Sequence, residues 1–224
     1  MLIPSIDLMG GKVVQLVQGA KKALEFDDLQ YWIDRFLAYP MVQLIDLDAA
    51  MGKGENTALI HRICQHLPVQ VGGGIRSVEA ASKMLQAGAK KVIIGSALLK
   101  NGAVDLEMAQ ALAHYAAPAR LLFAVDTRKG RVSIKGWTEG TALTPAEMMQ
   151  QCDEFCSGYL YTHIDTEGTM SGFPFEVIDG LKAATSRKLI VAGGIKSTEE
   201  VERLDAEGVD CVVGMAVYTG ALKA

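Results

Sequence analysis

Several features that mark particular classes of protein are missing from this sequence. No apolar run approaches the roughly 18 residues that a membrane-spanning helix needs. The first residues, Met1-Leu2-Ile3-Pro4, lack the basic region and apolar stretch of a secretory signal peptide. The net charge of −4 is modest and negative, unlike that of a typical nucleic-acid-binding protein. We therefore expect a cytoplasmic protein without membrane or nucleic-acid partners.

Metal-binding patterns are missing as well. The four cysteines form no CxxC pair, and no histidine stands near them at metal-ligand spacing. We expect buried or half-buried free thiols in a reducing compartment, and no metal. Half of the 224 residues are hydrophobic, which is enough for a sizeable core.

One segment of seven residues occurs twice. Val71-Gly72-Gly73-Gly74-Ile75-Arg76-Ser77 ends an apolar run and precedes a helical pattern, and Val191-Ala192-Gly193-Gly194-Ile195-Lys196-Ser197 does the same later. Glycines let the backbone turn sharply and approach a ligand, and the N–H groups of the following helix point back at the turn. Each segment could simply be a turn where only a small residue fits. The basic residue before each helix favours an anion site instead, because a cation there is otherwise disfavoured.

The similarity extends along the whole chain at a shift of about 119 positions. The apolar run ending at Asp7 aligns with the run ending at Asp126, and Met51 aligns with Met170. Val92-Ile93-Ile94-Gly95-Ser96 aligns with Cys211-Val212-Val213-Gly214-Met215. We interpret residues 1–119 and 120–224 as two similar halves of one domain.

Eight short apolar runs alternate with helical patterns. They begin at Leu2, Met41, Val69, Val92, Leu121, Tyr159, Leu189 and Cys211. The runs are continuously apolar, which is typical of parallel strands buried on both faces. Because an open doubly wound sheet would not repeat in this way, the pattern predicts a single (β/α)₈ TIM barrel over residues 1–224, with a twofold half-barrel repeat.

Local signals define several connections. Residues 19–28 are polar and predict a mobile loop, and residues 127–140 form a second polar excursion. Helices are predicted over residues 104–115 and 175–184. Thr144 to Glu147 and Ser197 to Glu200 have the sequence of capping boxes.

In a barrel of this kind the active site lies at the carboxyl ends of the strands. Asp7 and Asp126 lie there at equivalent positions of the two halves, between the two glycine turns. Two carboxylates held apart can act as base and acid when their surroundings separate their pKa values. A ligand with two phosphates would span the turns, with its reacting centre at the aspartates.

The motifs together resemble those of the ProFAR isomerase family of histidine biosynthesis over nearly the whole chain. They are Pro4-Ser5-Ile6-Asp7, Ile45-Asp46-Leu47-Asp48-Ala49-Ala50, the glycine turns, Val125-Asp126, Gly136-Trp137 and Tyr161-Thr162-His163-Ile164. The resemblance implies a cofactor-free Amadori rearrangement of an aminoaldose, ProFAR, to an aminoketose, PRFAR. It also implies a small bisphosphorylated substrate, and we expect a monomer.

The resemblance also implies roles for individual residues. Asp7 would remove the proton at C2, and either Asp126 or Glu167 would be the acid. Thr162 would hydrogen-bond reacting oxygens, and Trp137 would stack on a flat ring. The phosphates would bind at two sets of residues, with Arg76 as a nearby cation: Gly73, Gly74, Gly95 and Ser96 in one set, and Gly193, Gly194, Gly214 and Met215 in the other.

Some positions depart from the family pattern and leave alternatives open. Gln15 stands where the family usually has arginine, so Lys21 or Lys22 could supply a cation. Thr166-Glu167 replaces Arg-Asp, and Met215 replaces a basic residue. The alternatives are an isomerase that also acts on phosphoribosylanthranilate, the sister cyclase with its glutaminase partner and ammonia channel, and a non-catalytic protein that binds a bisphosphorylated metabolite.

Overall fold

The structure is a computed structural model that describes residues 1–222. The strands in this part of the chain are β1 (Leu2–Met9), β2 (Lys12–Val17), β3 (Lys21–Phe26), β4 (Val42–Asp46), β5 (Val69–Gly72), β6 (Lys91–Ile94), β7 (Leu99–Lys100), β8 (Ala103–Val104), β9 (Leu121–Arg128), β10 (Arg131–Ile134), β11 (Glu139–Gly140), β12 (Gly158–His163), β13 (Lys188–Ala192) and β14 (Asp210–Val213). The helices are α1 (Leu29–Phe36), α2 (Leu47–Met51), α3 (Thr57–His66), α4 (Val78–Gln86), α5 (Leu106–Ala116), α6 (Pro145–Cys152), α7 (Ile178–Ala184), α8 (Thr198–Ala206) and α9 (Met215–Tyr218).

Eight of the strands close into a parallel barrel. Their order around the ring is β1, β4, β5, β6, β9, β12, β13 and β14, and β14 pairs with β1 to complete it. Helices cross over between successive barrel strands. The predicted (β/α)₈ TIM barrel is therefore confirmed.

Alternate residues of each barrel strand face two different hydrophobic layers. In β9, Leu122 and Ala124 point into the barrel, whereas Phe123 and Val125 pack outward under the helices. The inner layer consists of Ile3, Ile93, Leu122, Ala124, Leu160, Ile190, Ala192 and Val212. Because both faces are buried, the strands are mainly apolar on both sides, with Ser5, Gln43 and Gln70 as buried polar residues.

Capping side chains fix several helix starts. Ser77 accepts the Ala80 N–H at the start of α4, and Thr144 with Glu147 forms the predicted capping box of α6. The capping box predicted at Ser197 to Glu200, at the start of α8, forms only one of its two hydrogen bonds. Ser197 accepts the Glu200 N–H, but the Glu200 carboxylate accepts the N–H of Lys196 and not that of Ser197.

The predicted mobile loop at residues 19–28 is wrong, because most of it is strand β3. Strands β2 and β3 form an antiparallel hairpin on the end of β1, and Lys12 and Lys22 pair with Glu25 on it. The polar excursion after β9 forms the matching hairpin of β10 and β11. Both hairpins are partly exposed and have polar side chains, which is why their sequence resembles a loop.

Other boundaries differ by a few residues. Asp105 caps α5, so Val104 belongs to the small β7–β8 hairpin. Residues 175–177 form a 3₁₀ turn before α7. Cys152, Cys156 and Cys211 are buried free thiols, and Cys64 is half-buried. None of the helices in residues 1–222 is long and apolar enough to cross a membrane. The half-barrel boundary near residue 119 stays a prediction.

Candidate active site

One cavity opens at the carboxyl ends of the barrel strands. All fourteen site residues predicted from the sequence line it: Asp7, Gly73, Gly74, Arg76, Gly95, Ser96, Asp126, Trp137, Thr162, Glu167, Gly193, Gly194, Gly214 and Met215. The barrel thus gathers side chains that are far apart in sequence around one space. Their individual roles stay predictions.

The two double-glycine turns have matching backbones. Gly73 and Gly74 have φ angles of 95° and 69°, and Gly193 and Gly194 have 116° and 82°. A Cβ on Gly193 would lie 2.5 Å from the carbonyl oxygen of His163, and one on Gly73 would run into the backbone of Asp46. Each turn therefore needs glycine for its conformation and for its close packing on the preceding strand-end loop.

A second pair of turns lies beside the first. Gly95 has φ −112° and ψ −106°, and Gly214 has φ −102° and ψ −92°, so the backbone bends in the same way at both turns. Ser96 and Met215 follow directly and begin short helical turns. Each half of the barrel thus presents two groups of backbone N–H donors to the cavity, an arrangement that suits phosphate oxygens.

The predicted cations are engaged by the protein. The Arg76 guanidinium donates to the carbonyl oxygens of Ala49 and Ala50, 3.2 and 2.7 Å away. Lys196 donates to the carbonyl oxygen of Ser171 and does not line the cavity. Lys22 is paired with Glu25 and also lies outside it, as does Lys21. Anion binding at these turns would depend mainly on backbone N–H groups, with Arg76 at the edge.

Asp7 stands at the inward face of β1 with its carboxylate in the cavity. Burial raises its pKa from 3.8 to about 6, and the hydrogen bond donated by Ser5 to Oδ1, 2.8 Å long, opposes that rise. At neutral pH the group is mostly ionised. It is then ready to accept a proton.

Asp126 occupies the equivalent place on β9. The indole N–H of Trp137 donates to its Oδ2 over 2.8 Å. Burial raises the pKa of Asp126, and the Trp137 and Thr162 side chains oppose that rise. The Trp137 ring also packs on Gly19, where a Cβ would lie 2.6 Å from the ring. The hairpins of the two halves therefore meet over the cavity.

Glu167 reaches the cavity from the loop after β12. The Gln18 N–H donates to its carbonyl oxygen over 3.0 Å, and the Gln18 side chain donates to the carbonyl of Asp165 over 2.9 Å. Burial and the negative charges of Asp7 and Asp126 raise the pKa of Glu167 from 4.5 to about 8. Glu167 therefore keeps its proton at neutral pH.

Asp7 and Glu167 thus differ in protonation around one space, which they share with Asp126. At pH 7 Asp7 is mostly an anion and Glu167 is mostly a neutral acid. A base and an acid can therefore act on the same small molecule without any other proton carrier. Within residues 1–222 no three His, Cys, Asp or Glu side chains are grouped as a metal site.

Comparison with known proteins identifies the family. The sequence profile of the family described as "Histidine biosynthesis protein" matches residues 1–223.

The chain belongs to this family.

Curated relatives in this family cover almost the whole chain. The chain is 38% identical over 233 residues to a protein of Methanosarcina barkeri, with 98% of this chain and 93% of the relative covered. It is 35% identical to proteins of Methanothermobacter thermautotrophicus and Thermus thermophilus, with 99% of this chain covered, and 95% and 96% of the relatives. All three are named 1-(5-phosphoribosyl)-5-((5-phosphoribosylamino)methylideneamino) imidazole-4-carboxamide isomerase, or ProFAR isomerase. The resemblance inferred from the motifs is confirmed.

Several residues around the cavity of this family member were not predicted from the sequence. Ser5 contacts Asp7, and its signal was available, since residues two apart on a strand face the same side. Gln15 is buried with its amide oxygen against Gly214. Gly168 packs so closely on Leu16 and Val17 that a side chain there would displace the β2 arm. These last two contacts join distant segments and have no local signal.

Proposed function

We propose that this protein is a ProFAR isomerase of histidine biosynthesis, which converts the aminoaldose ProFAR to the aminoketose PRFAR without a cofactor. The observation that carries the proposal is the pairing of an ionised Asp7 with a protonated Glu167 between two matching sets of glycine turns. The proposal accounts for both features, because the substrate has two phosphates and its rearrangement moves protons. We further propose a monomer that acts in the cytoplasm.

Substrate binding places the reacting sugar over the carboxyl groups. One phosphate binds at Gly73, Gly74, Gly95 and Ser96, and the other at Gly193, Gly194, Gly214 and Met215. Trp137 stacks on a flat ring of the ligand, which requires its indole N–H to leave Asp126 or the ring to stack from its present position.

Chemistry begins with the acid. Glu167 gives its proton to the ring oxygen of the aminoaldose, the C1–O bond breaks, and the nitrogen lone pair forms the C1=N bond. Asp7 then removes the C2 proton, and the electron pair of that bond forms C1=C2 as the C1=N electrons return to nitrogen. The Glu167 carboxylate then takes the proton of the C2 hydroxyl as C2=O forms, and the protonated Asp7 returns its proton to C1, which completes the aminoketose and restores both groups. Thr162 hydrogen-bonds the oxygens that change charge.

Two candidates remain for the acid, and we favour Glu167. Its pKa is raised to about 8, so it holds a proton at neutral pH. Asp126 already accepts hydrogen bonds from Trp137 and Thr162, which stabilise its anion. We assign Asp126 to binding and orienting the substrate.

The other functions considered fit less well. Phosphoribosylanthranilate has a carboxylate, yet the cationic side chains among the lining residues are Arg76, bound to carbonyls, and Lys135, paired with Glu139. The sister cyclase requires an ammonia path, but in residues 1–222 the inner apolar layer packs across the barrel beneath the carboxylates. A binding protein without chemistry would gain nothing from three carboxyl groups facing an anionic ligand.

Turnover of ProFAR by the purified protein, followed by absorbance, tests the proposal. Asp7→Asn is expected to lower kcat by about 10²–10⁴-fold, as loss of a general base does. The dissociation constant for the product should change less than about tenfold, because the glycine turns are untouched.

Asp48→Asn is the matched control. Asp48 lies in α2, directly after β4, and its carboxylate accepts hydrogen bonds from the Gly10 N–H and the Asn56 side chain outside the cavity. The control should retain kcat within a few-fold. A wild-type protein that binds ProFAR and never converts it, or one that needs ammonia and PRFAR, would refute the assignment.

A further inference from the structure

Ser5 is a buried polar residue to which the proposed mechanism gives no task. It lies in β1 two residues before Asp7, so both side chains face the cavity from the same side of the strand. Its side chain is 5% exposed. The hydroxyl donates to Asp7 Oδ1 over 2.8 Å.

The position of Ser5 is fixed from several sides. Its backbone lies in the centre of the barrel sheet, opposite Gln43 of β4. Its carbonyl oxygen accepts the hydroxyl of Tyr218, from α9, over 2.8 Å. Tyr218 is itself buried in an aromatic cluster with Phe26 and Trp32. The donor to Asp7 is therefore rigidly placed before any substrate arrives.

The hydrogen bond from Ser5 gives the two oxygens of the Asp7 carboxylate different environments. Oδ1 is occupied by Ser5, while Oδ2 accepts no hydrogen bond from residues 1–222. A serine hydroxyl bound to one oxygen stabilises the anion and holds the carboxylate plane, so the free oxygen stays directed at the cavity.

On the basis of the proposed function, we infer that Ser5 is a positioning residue for the isomerisation, which holds the Asp7 carboxylate through Oδ1 and leaves Oδ2 to take the substrate proton.

Other ionisable groups around Asp7 have to be considered in a test by pH. Glu167 faces it from the loop after β12, Asp126 stands on β9, and Tyr218 approaches from α9. Asp46, at the end of the neighbouring β4, accepts three hydrogen bonds from Ala49 and Asn56 and does not line the cavity. Removal of the Ser5 hydroxyl changes none of these charges.

Ser5→Ala should therefore change the pH dependence in one direction. Loss of a hydrogen bond to a carboxylate raises its pKa, here by about one pH unit. The acidic limb of the kcat/KM profile moves up by that amount, and the rate at pH 6 falls several-fold more than the rate at pH 7.5. KM stays within about twofold, because Ser5 does not belong to the phosphate turns.

Two further variants separate positioning from general disturbance. Ser5→Thr keeps a hydroxyl on a strand that accepts β-branched residues and should restore the wild-type limb. Thr127→Val removes a fully buried hydroxyl of the residue after Asp126, which donates to the carbonyl oxygen of Thr162, and should leave the limb unmoved.

Titration of the Asp7 carboxyl carbon by ¹³C NMR gives a readout that does not depend on turnover. A midpoint for Asp7 that is higher in Ser5→Ala than in wild type supports the part of the inference that concerns the carboxylate, namely that Ser5 stabilises its anion through Oδ1, whichever substrate the protein converts. An unchanged Asp7 midpoint, or an equal shift in Thr127→Val, would overturn it. Failure of the wild-type protein to convert ProFAR would instead refute the proposed function.

Discussion

Replacement of Glu167 by glutamine tests the assignment of the acid most directly. Glutamine keeps the size of the side chain and cannot supply a proton. With the pKa of Asp7 at about 6 and that of Glu167 at about 8, the wild-type rate should peak near pH 7 and fall about tenfold by pH 5 and by pH 9. Glu167→Gln should lower kcat by about 10²–10⁴-fold and remove the alkaline limb, while the acidic limb stays.

The same substitution should stabilise the fold in a pH-dependent way. Glu167 has a pKa of about 8 in the folded protein and 4.5 as its ordinary value, so the folded state binds more protons between these values and stability falls as pH rises. A shift of that size corresponds to an upper limit of about 5 kcal/mol. Because the carboxyl group is partly solvated in the cavity, we expect a gain of about 1–3 kcal/mol above pH 8 and almost none at pH 4.5.

Urea unfolding at pH 4.5, 6.5 and 8.5 measures the stability, and initial rates over the same range give the kinetic profile. Asp126→Asn is the matched comparison. If Asp126 is the acid, Asp126→Asn will lose more activity than Glu167→Gln and will lack the alkaline limb. Glu167→Gln will then keep both its activity and the alkaline limb. A Glu167→Gln variant with an intact alkaline limb and the same stability difference at every pH would refute the reasoning.

Three further substitutions test the scaffold of the barrel. Gly193→Ala should destabilise the fold by about 1–3 kcal/mol and weaken product binding, because its Cβ would meet the His163 carbonyl at an unfavourable φ of 116°. The control is Gly180→Ala, which lies in a helix with open space around it and should be neutral or slightly stabilising. If thermal unfolding shows the same loss of stability in both variants, this account is contradicted. At the opposite end of the barrel, Asp210 binds the N-terminal ammonium over 3.1 Å and Lys188 over 2.9 Å. Asp210→Ala should therefore cost about 1–2 kcal/mol in urea unfolding and leave kcat and KM unchanged, whereas a large loss of kcat would show that the two ends are coupled.

Much of the site could be predicted because its signals are local. Each glycine turn can be predicted from its own residues, because glycines that adopt positive φ and a serine that caps the next helix lie within a few positions of each other. Asp7 and Asp126 each follow an apolar strand directly, and the carboxyl ends of parallel strands meet at one end of a barrel. The contacts of Arg76 with two carbonyls could not be foreseen, because they depend on where helix α2 ends.

The two hairpins show the same limit. The sequence of residues 19–28 is polar, so it resembles a loop, and only pairing with β2 makes it a strand. The packing of Trp137 on Gly19 joins the hairpins of the two halves across more than a hundred residues. No pattern of propensity or periodicity records such a contact.

By itself, then, the sequence determined the eight-stranded barrel, its internal repeat, the glycine turns and which acids reach the cavity. Tertiary structure decided the protonation of those acids, because a pKa depends on burial and on charges that come from other strands. Glu167 is an acid at neutral pH only because the barrel encloses it together with Asp7 and Asp126, whereas the smaller rise in the pKa of Asp7 leaves that group mostly an anion.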